Sequence, residues 1–237
     1  MTPAKSTPDQ IRQRFDNDVE RFSNLETGQS ATIDAPLVLD LITAAAASTN
    51  PGAITLLDIG CGAGNYTLKL LEKIHLQHIT LIDLSQKMLD RAAQRIAAIS
   101  QAQLTPLQQD IRDAQLKPES FDIVLAAAVL HHLRDDNDWL TVFTKIHRAL
   151  KPGGSFWISD LVTHTLPPVH QMMWQRYGDY LANLKNEPYR DAVFAYIDQE
   201  DTPRPLTDQL DLLKQVGFKQ VDVLHKNSCF AAFGAVK

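Results

Sequence analysis

After residue 53 the 237-residue chain repeats one order of hydrophobic and polar positions: a short apolar run, a turn, then an apolar stripe at helical spacing. Residues 56–59 (LLDI) are the first run; the turn GCGAG follows and leads into the helical stretch NYTLKLLEKI. Residues 79–83 (ITLID) predict a second strand, followed by a helix capped by Ser85 and striped by Leu89, Ala92, Ala93, Ile96 and Ile99. Residues 104–108 predict a third, weaker strand, and 121–127 (FDIVLAA) a strongly apolar fourth. Trp139, Leu140, Phe143, Ile146 and Leu150 stripe the next helix, which Pro152-Gly153-Gly154 is expected to end before a fifth strand at 155–160. Strands alternating with helices of this length predict a parallel sheet covered on both faces.

The two ends depart from that rhythm. Residues 1–8, rich in Pro, Thr and Ser, read as a loose tail. From Asp9 the apolar positions Ile11, Phe15, Val19 and Phe22 recur at helical steps. A second helical stripe, Leu37, Val38, Leu41, Ile42 and Ala45, ends at the breaker Ser48-Thr49-Asn50-Pro51-Gly52. Residues 161–206 hold no strand-like run but two helical stretches, near 168–185 and 188–199, rich in Met, Trp and Tyr. A helix from Thr207 to Gly217 precedes two β-like runs, 219–226 and 229–236, joined by a tight Asn227-Ser228 turn and hence antiparallel. The expected fold is α/β: a doubly wound, seven-stranded, mostly parallel sheet with an antiparallel terminal hairpin. Residues 1–52 read as an N-terminal helical cap, 53–160 and 207–237 as the core, and 161–206 as a helical lid insert.

Composition narrows this picture at three points. Apolar residues make up 44% of the chain, enough for a sizeable core. A net charge of -5 gives no bulk electrostatic support to nucleic-acid binding. Cys61 and Cys229 supply no disulfide framework, and no apolar run approaches the roughly 20 residues needed to cross a bilayer. The opening MTPAKSTPDQIRQRF lacks the apolar core of a signal peptide. The expectation is a cytoplasmic protein without a membrane partner, and no metal ligand set is read from the sequence.

Candidate chemistry gathers at the carboxyl ends of the predicted strands, where sheets of this type bind ligands. Gly60, Gly62 and Gly64 alternate through the first turn, which lets backbone approach a nucleotide-like ligand without side chains in the way. Asp58 closes strand one, Asp83 closes strand two and Asp110 follows strand three. Asp83 lies 19 residues after Gly64, where a carboxylate can accept both hydroxyls of a ribose.

DIGCGAGNYT, LIDLS, QQDIRD, FDIVLAAAVLHHL and LKPGGSFWISD resemble the successive motifs of class I S-adenosylmethionine-dependent methyltransferases, from Ile54 to the C-terminus. The terminal hairpin and the G-x-G-x-G spacing separate that family from dinucleotide dehydrogenases, whose pyrophosphate sites prefer G-x-G-x-x-G. The resemblance implies a Rossmann-like methyltransferase fold, S-adenosylmethionine as cofactor and S-adenosylhomocysteine as product. It implies that Gly60, Cys61 and Gly62 pass beside the methionine part and that Asp83 holds the ribose, with Leu84 and Met88 against the adenine. Asp110 would accept from the adenine amino group, Ile111 would cover the other ring face, Ala127 would lie near the sulfonium, and Asp58 would order the loop. His131 and His132, past strand four, have the titration range of a base and are the catalytic candidates.

The acceptor must be met by segments outside the common fold. Trp174, Arg176, Tyr177, Tyr189 and Arg190 of the insert are the expected lining of a pocket for a small-molecule methyl acceptor, and Thr27 and Gln29 are expected to close over the cofactor. FDNDVERFS and NSCFAAFGAVK further resemble carboxy-S-adenosylmethionine synthases of tRNA wobble-uridine modification, an architecture that allows a homodimer joined through the lid. Two departures favour the ordinary cofactor and methyl transfer. That subgroup has serine where this chain keeps Gly62, and Ala195 aligns near its carboxylate-binding arginine, with Arg190 and Arg204 only neighbours. No asparagine/aspartate-proline-proline-aromatic motif follows strand four, which weakens adenine-N6 or glutamine methylation.

Overall fold

The computed structural model describes residues 5–24 and 28–237. Seven strands form one sheet: β1 (Thr55–Ile59), β2 (His78–Asp83), β3 (Gln103–Gln108), β4 (Phe121–Ala127), β5 (Leu150–Leu161), β6 (Gln220–Asn227) and β7 (Phe230–Val236). Their order is β3-β2-β1-β4-β5-β7-β6, with β7 antiparallel to both neighbours and the other pairings parallel. The strand order reverses between β1 and β4, so the carboxyl ends of these two strands flank the crevice where ligands bind in such sheets.

Side chains alternate across the sheet as the apolar runs require. Leu57, Ile59, Val124 and Ala126 face one layer, built with Trp139, Phe143 and Ile146 of α6 (Asp136–Ala149) and Leu213 of α9 (Leu206–Gln215). Leu56, Ile123 and Leu125 face the other. Ile42 of α3 (Ala35–Thr49), Leu70 of α4 (Asn65–Leu71) and Ile96 of α5 (Gln86–Ala97) pack there. The second helical stripe of the N-terminal segment thus packs directly on one face of the sheet. Pro106 sits in β3, the edge strand, where a missing N–H breaks no inner ladder.

Two local readings are corrected. The stripe from Ile11 to Phe22 is not one helix: it divides into α1 (Pro8–Asn17) and α2 (Val19–Ser23) at Asp18, whose backbone leaves the helical region. Pro152-Gly153-Gly154 does not stop α6, which ends at Ala149. It lies inside β5, where the register against β4 slips between Phe121 and Ile123. Gly153, at φ 76, makes that irregularity possible.

The insert consists of α7 (Pro167–Leu184) and α8 (Glu187–Glu200). Its aromatic residues form a third cluster with Ile33, Leu161, Cys229 and Phe230. Among the described residues no helix is long and apolar enough to cross a membrane.

Candidate active site

A cleft opens over the carboxyl ends of β1 and β4. Its floor is the turn between β1 and α4, with Gly60, Cys61, Gly62 and Ala63, and its walls include Asp58, Asp83, Leu84, Met88, Ala127, Ala128 and Val129. A narrower groove shares Gly60, Asp83, Leu84, Val129 and His132 with it and adds Asp110, Ile111 and Arg112. The cleft's outer side is closed by Ile11, Phe15 and Phe22 from α1 and α2, and by Gln29 and Thr32.

Each glycine of the turn has its own reason. Gly60 is at φ 65, and a Cβ there would stand 2.6 Å from Val129. Gly62 is at φ 50 with no protein atom within 4 Å of a Cβ, so its missing side chain leaves open cleft. Gly64 does not line the cleft. Its bare Cα admits Ala92 and Ile96, which lets α4 pack on α5.

Asp83 fixes the turn. Its carboxylate accepts from Gly62 N–H and Ser85 N–H, each at 2.9 Å. Burial pushes its pKa up to about 6, against those two hydrogen bonds. Asp58 is buried and accepts from Thr67 Oγ1 at 2.6 Å; burial, reinforced by Asp83, moves it up to about 7. Asp110 is paired with Arg112. Burial alone would raise its pKa, but Arg112 outweighs that and holds it below the usual carboxylate range. Arg112 donates Nη2 to its Oδ2 at 2.7 Å, and donates its backbone N–H and Nε to its Oδ1. Cys61 is buried, and burial raises its thiol well above the ordinary value, so it is a small filler rather than a nucleophile.

The two histidines part company. His131 lies behind the cleft, its Nδ1 on Asp160 Oδ1 and its backbone N–H on Asp160 Oδ2. Burial would lower its pKa, but Asp160 and Asp201 outweigh it and bring it to about 9. His132 lines the cleft; burial, then the neighbouring His131 and Arg134, push its pKa well below the ordinary value.

None of the five insert residues expected to line an acceptor pocket reaches the cleft. Trp174 and Tyr177 are packed in the third cluster, Trp174 stacked on Phe194 at 4.9 Å and Tyr177 edge-on to Phe230 at 5.0 Å. Tyr189 packs at that cluster's margin, Arg176 is exposed, and Arg190 pairs with Asp191 at 2.8 Å. A helix stripe of aromatics buries itself against its own partner helix before it can serve a pocket. The insert is tied to the segment that precedes α3: Tyr177 and Tyr180 donate to the carbonyls of Ala31 and Ser30 (3.0 and 2.8 Å), beside Gln29 and Thr32 of the cleft. Thr27 lies outside the described residues.

Phe15, Phe22, Tyr66 and Ser159 also line the cleft and were not singled out from the sequence. The only signal for the two phenylalanines was their shared stripe with Ile11. The N-terminal segment is held over the cleft by polar ties to the core. Ser85 Oγ donates to Asp16 at 2.5 Å, Asn65 Nδ2 to Phe22 O at 3.0 Å, and Arg91 pairs with Glu20 at 3.2 Å.

A methyltransferase-domain family model matches residues 56–154, the stretch that builds the turn, Asp83, Asp110 and β4. An uncharacterised methyltransferase of Mycobacterium tuberculosis is 31% identical over 123 residues, 52% of this chain and 57% of that protein. Residues 56–154 thus carry a methyltransferase domain, and the chain is similar to the class I S-adenosylmethionine-dependent methyltransferases. A carboxy-S-adenosyl-L-methionine synthase of Shewanella loihica is 27% identical over 184 residues, covering 76% of this chain and 74% of that one. The fold matches that of the 1,6-didemethyltoxoflavin-N1-methyltransferase of Burkholderia thailandensis, solved with 1,6-didemethyltoxoflavin and S-adenosylhomocysteine. That match has a TM-score of 0.63 at 17% identity, over 100% of this chain and 93% of that one. The chain thus spans little more than half the length of the first curated relatives it matches.

The residues present fit the cofactor of this methyltransferase family. Gly62 leaves backbone and open space where a Cβ would intrude, Asp83 presents a pinned carboxylate, and Leu84 and Met88 offer an apolar wall beside it.

Proposed function

We propose that this chain catalyses methyl transfer from S-adenosylmethionine to a neutral small-molecule acceptor. The observation that carries the proposal is the closed cleft itself: a glycine turn pinned by Asp83 on one side, Phe15 and Phe22 of the N-terminal helices on the other. When bound, the cofactor supplies a sulfonium methyl already activated for in-line displacement. Gly60, Cys61 and Gly62 would border its methionine part, Asp83 its ribose and Leu84 and Met88 its adenine, with Asp110 and Ile111 in the adjoining groove. Asp58 orders the turn through Thr67.

The remaining task of the protein is to align the acceptor and exclude water, which can supply roughly 7–11 kcal/mol of a barrier. Phe15, Phe22 and Ile11 are suited to that by being apolar and by covering the cleft. We assign neither histidine as a base: His131 is enclosed by Asp160 and Asp201, and His132 serves as a wall residue with its Nδ1 toward Asp201.

The acceptor's charge class follows from the lining. Among the described residues, the main cleft contains no Lys or Arg. An anionic acceptor, or a carboxylate added to the cofactor, would meet Asp58 and Asp83 with no cation to pair it. Gly62 remains open, Ala195 is exposed on α8, and Arg190 and Arg204 are paired with Asp191 and Asp136 outside the cleft. The small heteroaromatic acceptor of the Burkholderia enzyme is of the class this lining suits. The test has two parts: mass spectrometry of any nucleoside that co-purifies, and transfer of label from methyl-labelled S-adenosylmethionine to neutral and anionic aromatic acceptors. Unmodified cofactor and turnover with neutral acceptors are expected. A carboxylated cofactor, or turnover confined to anionic acceptors, would overturn the reading.

A further inference from the structure

His131, His132 and Asp201 meet where the turn after β4 touches the end of the insert. His132 Nδ1 lies 3.4 Å and His131 Nε2 3.6 Å from the same oxygen, Asp201 Oδ1, and the three ligand atoms lie within 4.8 Å of one another. Both distances exceed an ordinary hydrogen bond. Asp201 Oδ1 and His132 Nδ1 are fully buried and neither has a hydrogen-bond partner. A buried carboxylate oxygen left without a donor is costly, so the arrangement asks for a positive centre between the three atoms.

We propose that these three side chains form a binding site for a divalent transition ion of the Zn2+ class, which ties the end of the insert to the cleft wall. Two imidazole nitrogens and one carboxylate are the donor set that favours such ions over Mg2+ or Ca2+. Tetrahedral bonds of about 2.0–2.1 Å place neighbouring ligand atoms roughly 3.3 Å apart, close to the two separations found here. His131 also has the supporting contact such ligands need: its other ring nitrogen, Nδ1, is held by Asp160, which fixes the ring with Nε2 toward Asp201. The backbone is fixed as well, since Thr202 N–H donates to His131 O at 2.6 Å and so holds Asp201 against the turn. Asp201 follows directly on α8, whereas the histidines follow β4, so the ion would join residues 69 and 70 positions apart in the chain.

The competing arrangement is a protonated His131 shared between Asp160 and Asp201 with no ion bound. Untagged full-length protein, stripped with EDTA and desalted, distinguishes the two. Co2+ titration followed by visible absorption, with Zn2+ calorimetry beside it, is expected to show one saturable ion per chain and loss of the cobalt spectrum on adding Zn2+. Asp201→Asn and His132→Gln should each weaken binding at least about tenfold, and Asp160→Asn about 10–100-fold. Circular dichroism of each variant checks its fold. For the unaltered protein, Zn2+ should also raise the melting temperature, by an amount that grows with the logarithm of free Zn2+. No binding and no thermal shift at millimolar Zn2+ would overturn the proposal, as would stoichiometric binding that all three folded variants retain.

Discussion

Replacing Gly60 by alanine would set a Cβ 2.6 Å from both Cβ and Cγ2 of Val129, on a backbone at φ 65. The left-handed backbone costs roughly 1–2 kcal/mol for a residue with a Cβ. Crowding a packed neighbour adds about 1–3 kcal/mol, because Val129 is branched at the contact and has no flexible end to move aside. The sum, about 2–5 kcal/mol, is a large part of the 5–15 kcal/mol that holds a typical domain together. Gly62→Ala shares the backbone cost at φ 50 but meets no protein atom within 4 Å. Its Cβ projects into the cleft instead. Two glycines two residues apart should therefore fail in different ways. In urea, a loss of roughly 3 kcal/mol at a slope of about 3 kcal/mol/M lowers the midpoint by about 1 M. Gly60→Ala should show that shift, and Gly62→Ala half of it or less. In S-adenosylhomocysteine titrations, folded Gly62→Ala should lose at least about tenfold in affinity, the effect of roughly 1.4 kcal/mol. Equal urea midpoints for the two variants, or unaltered binding by Gly62→Ala, would refute the reasoning.

Three further outcomes follow from the polar contacts. Asp83 has its carboxyl raised to about 6 in the folded chain, so below that pH it carries a proton and cannot accept as an anion. Affinity for S-adenosylhomocysteine should fall from pH 7 to pH 5, approaching tenfold per pH unit below 6 if Asp83 alone governs it; a flat profile over that range would remove Asp83 from the ligand contact. Asp160→Asn breaks the buried pair with His131 and should cost about 3–5 kcal/mol in urea unfolding; a loss under 1 kcal/mol would show the pair to be dispensable. Glu200, buried beneath α1, accepts from Ser6 and Arg14 at 2.6 Å each. Glu200→Ala should cost about 1–3 kcal/mol and speed limited proteolysis within residues 5–24; an unchanged cleavage pattern would count against this anchor.

The core was legible because its signal is local. The strongly apolar runs LLDI, ITLID and FDIVLAA became the inner strands β1, β2 and β4, the weaker run 104–108 became the edge strand β3, and Asp58 and Asp83 stand at the ends of their strands. The antiparallel hairpin was readable from its turn. What sequence reading misplaced depends on contacts between distant segments. Trp174 and Tyr177 look like pocket residues on a helix stripe. Their partners, Phe194 and Phe230, lie 20 and 53 residues further on, and only the packed insert shows that they satisfy one another. His131 and His132 are adjacent in sequence and look equivalent, yet Asp160 and Asp201, 29 and 70 residues after His131, give them opposite environments. Pro152-Gly153-Gly154 carries the signature of a helix stop, but whether such a turn also belongs to a strand is decided by the neighbouring strands, β4 and β7.

Calorimetric titration of S-adenosylhomocysteine into the protein and into Asp83→Ala tests the central claim, that the glycine turn and Asp83 form the cofactor cleft. The unaltered chain should bind one equivalent, and the folded variant should bind at least about tenfold more weakly, as loss of a hydrogen bond to a charged acceptor worth about 1.5–3 kcal/mol requires. A flat titration of the unaltered chain, or equal affinity in the variant, would contradict it.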